Sequence, residues 1–270
     1  MTTQGHDVLA RIADARRRRV EQMKRDHPAH VLRAGMAPTD APGRLERALR
    51  RRAAADPLRL VCEIKRASPS KGVLNRDVDP VATALLYERG GAAAISVVTE
   101  PDFFGGDLAW VPAVRQAVKV PVLLKDFVVD SYQLTDAAAR GADGVLLIAA
   151  MLSETGMQRL ITEAKLLGLD TLVEVHEASE LFAALRAGAT LVGINTRDLR
   201  TFEVDLETSI RLLPEVPPGV TAVAESGLSH PEHLERLRAT RCDAVLMGEV
   251  FMTSPDPAAT LATLAAAAKG

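Results

Sequence analysis

The chain has 270 residues, of which 47% are hydrophobic and 25% are charged, an ordinary composition for a globular protein with a large core. The formal net charge is −2 and aromatic residues make up only 3%. The chain therefore carries neither a general basic field nor a base-stacking surface, and we expect it to bind neither nucleic acid nor a membrane. No apolar run approaches the length of a membrane-spanning helix, and we expect the protein to act in the cytoplasm.

The first 55 residues differ in pattern from the remainder and are interpreted as an N-terminal helical extension. A helix is predicted from residue 7 to about residue 26. A connection containing proline and glycine follows over residues 28–43, and a second short helix over residues 44–55. Four consecutive arginines, residues 16–19, lie in the first helix among acidic residues. We interpret them as the solvated face of that helix.

From residue 58 onward, short apolar runs alternate regularly with longer amphipathic segments. This alternation is typical of parallel strands joined by right-handed crossover helices. It predicts an α/β protein, a (β/α)8 TIM barrel with an N-terminal helical extension, as one domain over residues 1–270. A doubly wound open sheet is the alternative, although no glycine-rich fingerprint follows the first strand. The predicted strands span residues 58–65, 93–99, 120–126, 144–148, 171–175, 191–195, 220–225 and 244–248, and the helices begin near Pro80, Asp107, Ser131, Ser153, Glu177, Asp205, His230 and Pro257.

Polar residues stand at the C-terminal ends of several of these strands, which is the end at which barrel active sites lie. Side chains of a barrel strand alternate between the interior and the helix layer, so we expect these groups to converge on one cavity. Such groups must pair in an apolar surrounding. A ring of salt bridges and a catalytic site are therefore compatible interpretations. The residues are Glu63, Lys65, Lys125, Glu174, Asn195, Glu225 and Ser226.

Gly227 and Gly248 follow the seventh and eighth predicted strands. The loops after these two strands hold phosphate in many barrels, so the glycines suggest an anion site built from backbone N–H groups. Turns also require glycine, so an ordinary turn is the other interpretation of these two residues. Glu249 follows directly, and its carboxylate would have to point away from a phosphate.

Two loops and two cysteines complete the candidates. The loop over residues 66–72 is basic and ends in glycine, which suits a mobile lid and an ordinary turn equally well. The loop over residues 100–106 holds two of the six phenylalanines. These favour a wall against a substrate ring, with simple packing nearly as good an interpretation. Cys62 and Cys242 lie in apolar runs and are predicted to be buried free thiols, and no histidine shows metal-ligand spacing.

Six segments of the chain carry, in order, the motifs of one known family. In these motifs the chain resembles the indole-3-glycerol phosphate synthase family, barrel enzymes of tryptophan biosynthesis, over nearly its whole length. The motifs are EIKRASPSKG at 63–72, SVVTEPDFFGG at 96–106, LKDF at 124–127, VEVH at 173–176, GINTRDL at 193–199 and AESG at 224–227.

The resemblance implies a substrate, 1-(2-carboxyphenylamino)-1-deoxyribulose 5-phosphate, whose indole ring is closed with release of carbon dioxide and water. It implies no cofactor and no metal. Lys125 then corresponds to the general acid on the ribulose carbonyl and Glu174 to the general base. Lys65 corresponds to a contact to the substrate carboxylate and a candidate acid in the dehydration. Association with other enzymes of the tryptophan pathway is left open.

The remaining positions that the resemblance assigns fall into three groups. Glu63, Asn195, Glu225 and Ser226 complete the polar site, while Ser68 lies in the loop next to it. Gly227, Gly248 and Glu249 surround the phosphate, and Phe104, Phe127 and Leu146 form apolar walls.

The chain departs from the family pattern at three places. Ala67 stands where some members have lysine, Glu249 stands where some have serine or threonine, and residues 42–46 lack an expected phenylalanine. Lys71 is a candidate to replace a lost phosphate contact.

Two other functions are alternatives to the one that the resemblance implies. One is a related phosphate-binding barrel such as a sugar-phosphate isomerase, which a Cys/Asp or Asp/Asp pair at strand ends would favour. The other is a catalytically silent scaffold, which loss of Lys125 or Glu174 would favour.

Overall fold

The structure, a computed structural model, describes residues 4–36, 42–197 and 204–270. Within this part of the chain, eight parallel strands close into a barrel, each hydrogen-bonded to its neighbours. Arg59 of the first strand is in register with Ala244 of the last, so the sheet has no open edge. The strands are β1 (Arg59–Ile64), β2 (Ala94–Val98), β3 (Val122–Lys125), β4 (Gly144–Ile148), β5 (Asp170–Val175), β6 (Leu191–Asn195), β7 (Thr221–Glu225) and β8 (Ala244–Met247).

Each strand lies within two residues of its predicted bounds, and the predicted TIM barrel is confirmed. The strands are buried along nearly their whole length because one face packs in the barrel interior and the other beneath the helices. Cys62 and Cys242 are buried free thiols, as expected. Since the first and last strands pair, the open-sheet alternative is wrong.

The barrel helices begin within three residues of their predicted starts. Asp79, Ser153, Asp205 and Asp256 cap four of them by accepting backbone N–H bonds in the first turn. None of the described helices is both long and apolar enough to cross a membrane. The helices are α4 (Pro80–Arg89), α5 (Trp110–Ala117), α6 (Tyr132–Ala139), α7 (Glu154–Leu166), α8 (Ala178–Arg186), α9 (Leu206–Leu212), α10 (Pro231–Arg238), α11 (Glu249–Met252) and α12 (Pro257–Lys269).

Three helices precede the barrel: α1 (Gln4–Asp26), α2 (Ala29–Ala34) and α3 (Arg44–Leu49). The short α2 falls within the predicted connection, part of which, residues 37–41, lies outside the described residues. The second predicted helix ends six residues early. Asp56 there accepts the backbone N–H groups of Arg52 and Ala53 and closes a turn instead.

Helix α3 closes the N-terminal end of the barrel. Leu45 and Leu49 are fully buried and pack in the interior cluster with Leu123 and Leu172. A Cβ at Gly144 would lie 2.7 Å from Leu45 Cδ2, so the glycine leaves the space that Leu45 fills. The extension therefore supplies part of the barrel core.

Helix α1 lies at the opposite end, where the strands finish. Ile12, Arg16 and Val20 form a buried stripe at helical spacing. Arg16 Nη2 donates to Asp126 Oδ2 over 2.9 Å, and both side chains are only 1% exposed. The interpretation of residues 16–19 as a solvated face is therefore wrong for Arg16, although the other three arginines are exposed. The reason is that Arg16 points to the barrel, where a buried carboxylate pairs with it.

We predict that Leu45→Ala lowers the free energy of unfolding by about 2–5 kcal/mol. Truncation leaves a cavity, and the side chains of a closed barrel cannot move far enough to fill it. Denaturant unfolding of the variant measures the change. Leu166→Ala is the matched control, since Leu166 is 82% exposed and its truncation should matter little. Equal stability of the two variants would show that α3 does not close the core.

Candidate active site

Six of the seven polar residues predicted at the strand ends line one cavity at the C-terminal mouth of the barrel, and the seventh, Glu225, is buried next to Lys125 and does not line it. Glu63, Lys125 and Glu174 each lie two residues beyond an interior side chain of the same strand, namely Val61, Leu123 and Leu172. The two-residue period of a strand therefore turns them inward. Together with Lys65 and Asn195 they line the cavity.

Glu63 is the centre of an ion-pair network. Its Oε1 is 2.7 Å from Lys65 Nζ and its Oε2 is 3.1 Å from Lys125 Nζ. Burial opposes ionisation of Glu63, yet the two ammonium groups overcome it and lower its pKa to about 2. Glu63 is therefore charged and fixes both lysines at the mouth of the barrel.

Lys125 also faces a second carboxylate, at 3.5 Å from Glu225 Oε2. Burial alone would lower the pKa of Lys125, but Glu63, Glu225 and Glu174 raise it above its ordinary value. The lysine is consequently protonated at neutral pH. It is a charged donor held among carboxylates beside the cavity.

Glu225 is fully buried, and neither of its carboxylate oxygens accepts a hydrogen bond within the described structure. Burial, the dominant cause, and the neighbouring Glu174 and Glu63 raise its pKa to about 8, against the opposing effect of Lys125. A Cβ on Gly193 would lie 1.8 Å from Glu225 Oε1, so the glycine of β6 provides the space for this side chain. Burial at this position therefore favours the protonated form of Glu225.

An apolar slot lies against the charged groups. The rings of Phe104 and Phe127 are 5.7 Å apart and tilted, and both line the cavity with Leu146. The buried Glu100 shapes the loop of Phe104 by accepting three backbone N–H bonds, including that of Phe104 itself. Helix α1 forms the other side of the slot through Val8, Leu9 and Ile12.

The loops after β7 and β8 border the other side of the mouth. Ser226 and Gly227 follow β7 in the left-handed region, at φ 69° and 66°. Strain at a non-glycine residue is typical of functional sites. Thr196 holds the turn by donating to the carbonyl groups of Glu225 and Ser226. Both glycines also leave space for a neighbouring side chain. A Cβ on Gly227 would clash with Val204, and a Cβ on Gly248 would clash with Glu63.

The loop after β1 forms a small hairpin in which residues 67–68 pair with residues 72–73. Ser68 is buried and borders the cavity, and its Oγ accepts from the backbone N–H of Lys71. Lys71 is exposed and its Nζ lies 3.8 Å from Glu249 Oε1. The hairpin thus spans the mouth toward the loop after β8, and its action as a lid stays a prediction.

Sequence reasoning missed two residues, one that lines the cavity and one that lies beside it. Arg197 borders the cavity and its Nη2 lies 3.4 Å from Glu249 Oε2. Its position two residues after Asn195 was the available signal, although residues 198–199 of that motif lie outside the described residues. His176 lies 3.5 Å from Glu174, and the same two-residue spacing could have found it.

No group of three or more His, Cys, Asp or Glu side chains among the described residues is arranged to hold a metal ion. The arrangement supplies charged proton donors and acceptors around an apolar slot.

Comparison with solved structures supports the fold. The chain superposes on 3-hexulose-6-phosphate synthase from Salmonella typhimurium with a TM-score of 0.61 and 16% identity, covering 78% of this chain and 98% of that one. Thiamine phosphate pyrophosphorylase from Pyrococcus furiosus gives a TM-score of 0.59 and 19% identity, covering 80% and 98%. At such identities the likeness concerns the barrel alone.

Sequence comparison identifies the family. An indole-3-glycerol phosphate synthase of Aromatoleum aromaticum is 44% identical, over 96% of this chain and 98% of its own length. One of Parafrankia sp. is 51% identical, over 77% of this chain and 78% of its own length. The family model for indole-3-glycerol phosphate synthase matches residues 9–264. With the barrel, the charged mouth and these matches in agreement, the chain belongs to the indole-3-glycerol phosphate synthase family.

Proposed function

We propose that the chain closes the indole ring of 1-(2-carboxyphenylamino)-1-deoxyribulose 5-phosphate and releases carbon dioxide and water. The observation that carries this proposal is Lys125, a protonated lysine held by Glu63 and Glu225 beside a slot with two aromatic rings. This is a proton donor placed next to a site for an aromatic ring, which ring closure requires.

In the proposed ring closure, the substrate's aromatic carbon that bears the carboxylate attacks the ribulose carbonyl carbon. Lys125 donates its proton to the carbonyl oxygen as the carbon–carbon bond forms, so the oxygen leaves this step as a hydroxyl group. The carbon–carboxylate bond then breaks, and its electron pair returns to the ring. Recovery of aromaticity drives this step, so the ring itself is the electron sink.

Dehydration completes the proposed reaction. Lys65 protonates the departing hydroxyl group, which leaves as water, and Glu174 accepts the proton lost from the substrate. Both side chains line the same cavity as Lys125. Division of acid and base work between two lysines and a carboxylate is possible because each is held at a different strand end.

Orientation supplies much of the proposed rate enhancement. The slot between Phe104, Phe127 and the apolar side of α1 would hold the phenyl ring against the carbonyl carbon. A reaction within one molecule gains most when its reacting atoms are held close and aligned. The anchoring of α1 by Arg16 and Asp126 serves this purpose.

The substrate phosphate is proposed to bind at the loops of Gly227 and Gly248, the usual phosphate position in barrels. Lys71 and Arg197 lie at the same mouth, and both now pair with Glu249. Their charges favour a phosphate dianion once the Glu249 carboxylate turns away. Lys71 is the proposed substitute for the lysine that some members of the family have at the position of Ala67.

The alternative isomerase lacks support. It calls for a reactive Cys/Asp or Asp/Asp pair, but the Cys62 side chain packs in the cluster between strands and helices, and burial raises its pKa.

We further propose that the extension and barrel form one domain, because Leu45 lies in the barrel core. The cytoplasmic location, the absence of nucleic-acid and membrane partners, and any association with other pathway enzymes stay predictions.

Purified protein mixed with this substrate should produce indole fluorescence, and Lys125→Met should lower turnover by about 10²–10⁴-fold, the usual effect of one acid–base group. Substrate affinity should change much less, because the proton is needed only in the transition state. The matched control is Lys165→Met on the exposed surface of α7.

A thermal melt must accompany these rates, since removal of a lysine between carboxylates also risks instability. A folded Lys125→Met protein with near-normal turnover would remove Lys125 from the mechanism. If the unaltered protein melts cooperatively, and so is folded, but forms no product, the proposed function itself is overturned.

Glu249→Ser should lower the Michaelis constant for the substrate and leave turnover nearly unchanged. The substitution removes a carboxylate that repels the phosphate and competes with it for Arg197 and Lys71. Steady-state kinetics with Glu215→Ser, an exposed surface control, measures the effect. A raised Michaelis constant would show that Glu249 helps to build the site.

A further inference from the structure

We propose that His176 is a positioning residue: its ring, held between Glu174 and Glu180, fixes the orientation of the Glu174 carboxylate for accepting a proton. This inference deepens the proposed function and rests on it, because it assigns a partner to the proposed general base. His176 does not line the described cavity. It would therefore act through Glu174 and not on the substrate.

The geometry places one carboxylate at each ring nitrogen of His176. Nε2 is 3.5 Å from Glu174 Oε1 at the end of β5, and Nδ1 is 3.4 Å from Glu180 Oε2 in the first turn of α8. Glu180 Oε2 also accepts the backbone N–H of His176 over 2.7 Å. The side chain of His176 is only 16% exposed, so it is clamped on both sides.

This arrangement selects the protonated ring. A neutral imidazole has one nitrogen without a proton, and that lone pair would face a carboxylate oxygen whichever nitrogen it is. Only the imidazolium presents an N–H group to both Glu174 and Glu180. The Nε2 atom is buried without a hydrogen bond in the described structure. A small adjustment toward the nearby Glu174 would satisfy it, and an unmade bond there is costly.

The charges around His176 act in the same direction. The charged groups that face it are Glu180 from α8, Glu174 from β5 and Glu225 from β7. Burial lowers the pKa of His176, but these three carboxylates together raise it above its ordinary value. In turn, His176 is the main cause that lowers the pKa of Glu180 against the effect of burial.

Glu174 depends on this cation more than its neighbours do. Glu63 has both lysines within 4.0 Å and Glu225 has one. Among the residues that the structure describes, His176 is the one cationic group within that distance of Glu174. Without His176, the Glu174 carboxylate would face the neighbouring Glu225 with no cation within 4.0 Å among the described residues, and it would lose the contact that holds its orientation.

The protonation state is measured directly by 15N NMR of protein labelled at histidine, which needs no substrate. The His176 signals, assigned by their loss in His176→Asn, should be those of an imidazolium at pH 7 and titrate above pH 6.5, the ordinary value. Glu174→Gln and Glu180→Gln should each lower the midpoint. Glu177→Gln, an exposed neighbour, should leave it unchanged. A neutral ring at pH 7 would contradict the proposal, whatever reaction the protein catalyses.

The kinetic test is the pH profile of kcat/KM for ring closure. In His176→Asn the acid limb should move to higher pH by about one unit, so that kcat/KM falls about tenfold on that limb and stays nearly unchanged on the plateau. The Michaelis constant at pH 8 should be nearly unchanged. His30→Asn, on the exposed surface of α2, is the control.

The two experiments separate the possible failures. An imidazolium in the NMR titration, with an unshifted acid limb in His176→Asn and Glu180→Gln, would show a purely structural histidine. If His176→Asn does not fold, Glu180→Gln alone decides the kinetic question, since it keeps the ring. If the unaltered protein turns over no substrate, the proposed function fails, and the Glu174→Gln titration still decides whether the two side chains are coupled.

Discussion

The mouth of the barrel buries more carboxylates than cations, and this imbalance governs the site. Glu63, Glu174, Glu180 and Glu225 face Lys65, Lys125 and His176. Charge can be removed from water only when it is paired or neutralised. The lysines keep Glu63 ionised, and the excess falls on Glu225, whose burial raises its pKa to about 8. With His176 charged as we propose, one proton on Glu225 would balance the four carboxyl groups against the three cations.

The fold is what holds this cluster together. Closure of the sheet brings the ends of β1, β3, β5 and β7 around one cavity, and two small residues make room for the charged groups. Gly193 leaves space for Glu225, and Gly248 leaves space for Glu63. The extension contributes at both ends, since α3 fills the bottom of the core with Leu45, and α1 covers the slot at the top.

Sequence reasoning was most successful where a simple period applies. The two-residue alternation along each strand placed Glu63, Lys125 and Glu174 in one cavity, and the alternation of strands with helices predicted the closed barrel. These features depend on local pattern alone. The proposed roles of the site residues depend instead on their charges and distances at the mouth of the barrel.

The features that were missed depend on contacts between distant parts of the chain. Arg16 looked like one of four surface arginines, and its burial follows from Asp126, 110 residues away in sequence. Its position four residues after Ile12 was the available local signal. The contact between His176 Nδ1 and Glu180 depends on the packing of α8 against the end of β5, which the sequence pattern alone does not give. The space at Gly193 could not be predicted, because Glu225 fills it from the neighbouring strand.

The most direct test of this account is the protonation state of Glu225. Carboxyl 13C NMR of protein labelled at glutamate, with Glu225→Gln to assign the signal, follows its titration without substrate. The account predicts a midpoint about pH 8, so that the carboxyl group is mainly protonated at pH 7 and ionises as the pH rises. A midpoint near 4.3, the value of an exposed glutamate, would show that the cluster carries its excess charge unneutralised and would contradict the account.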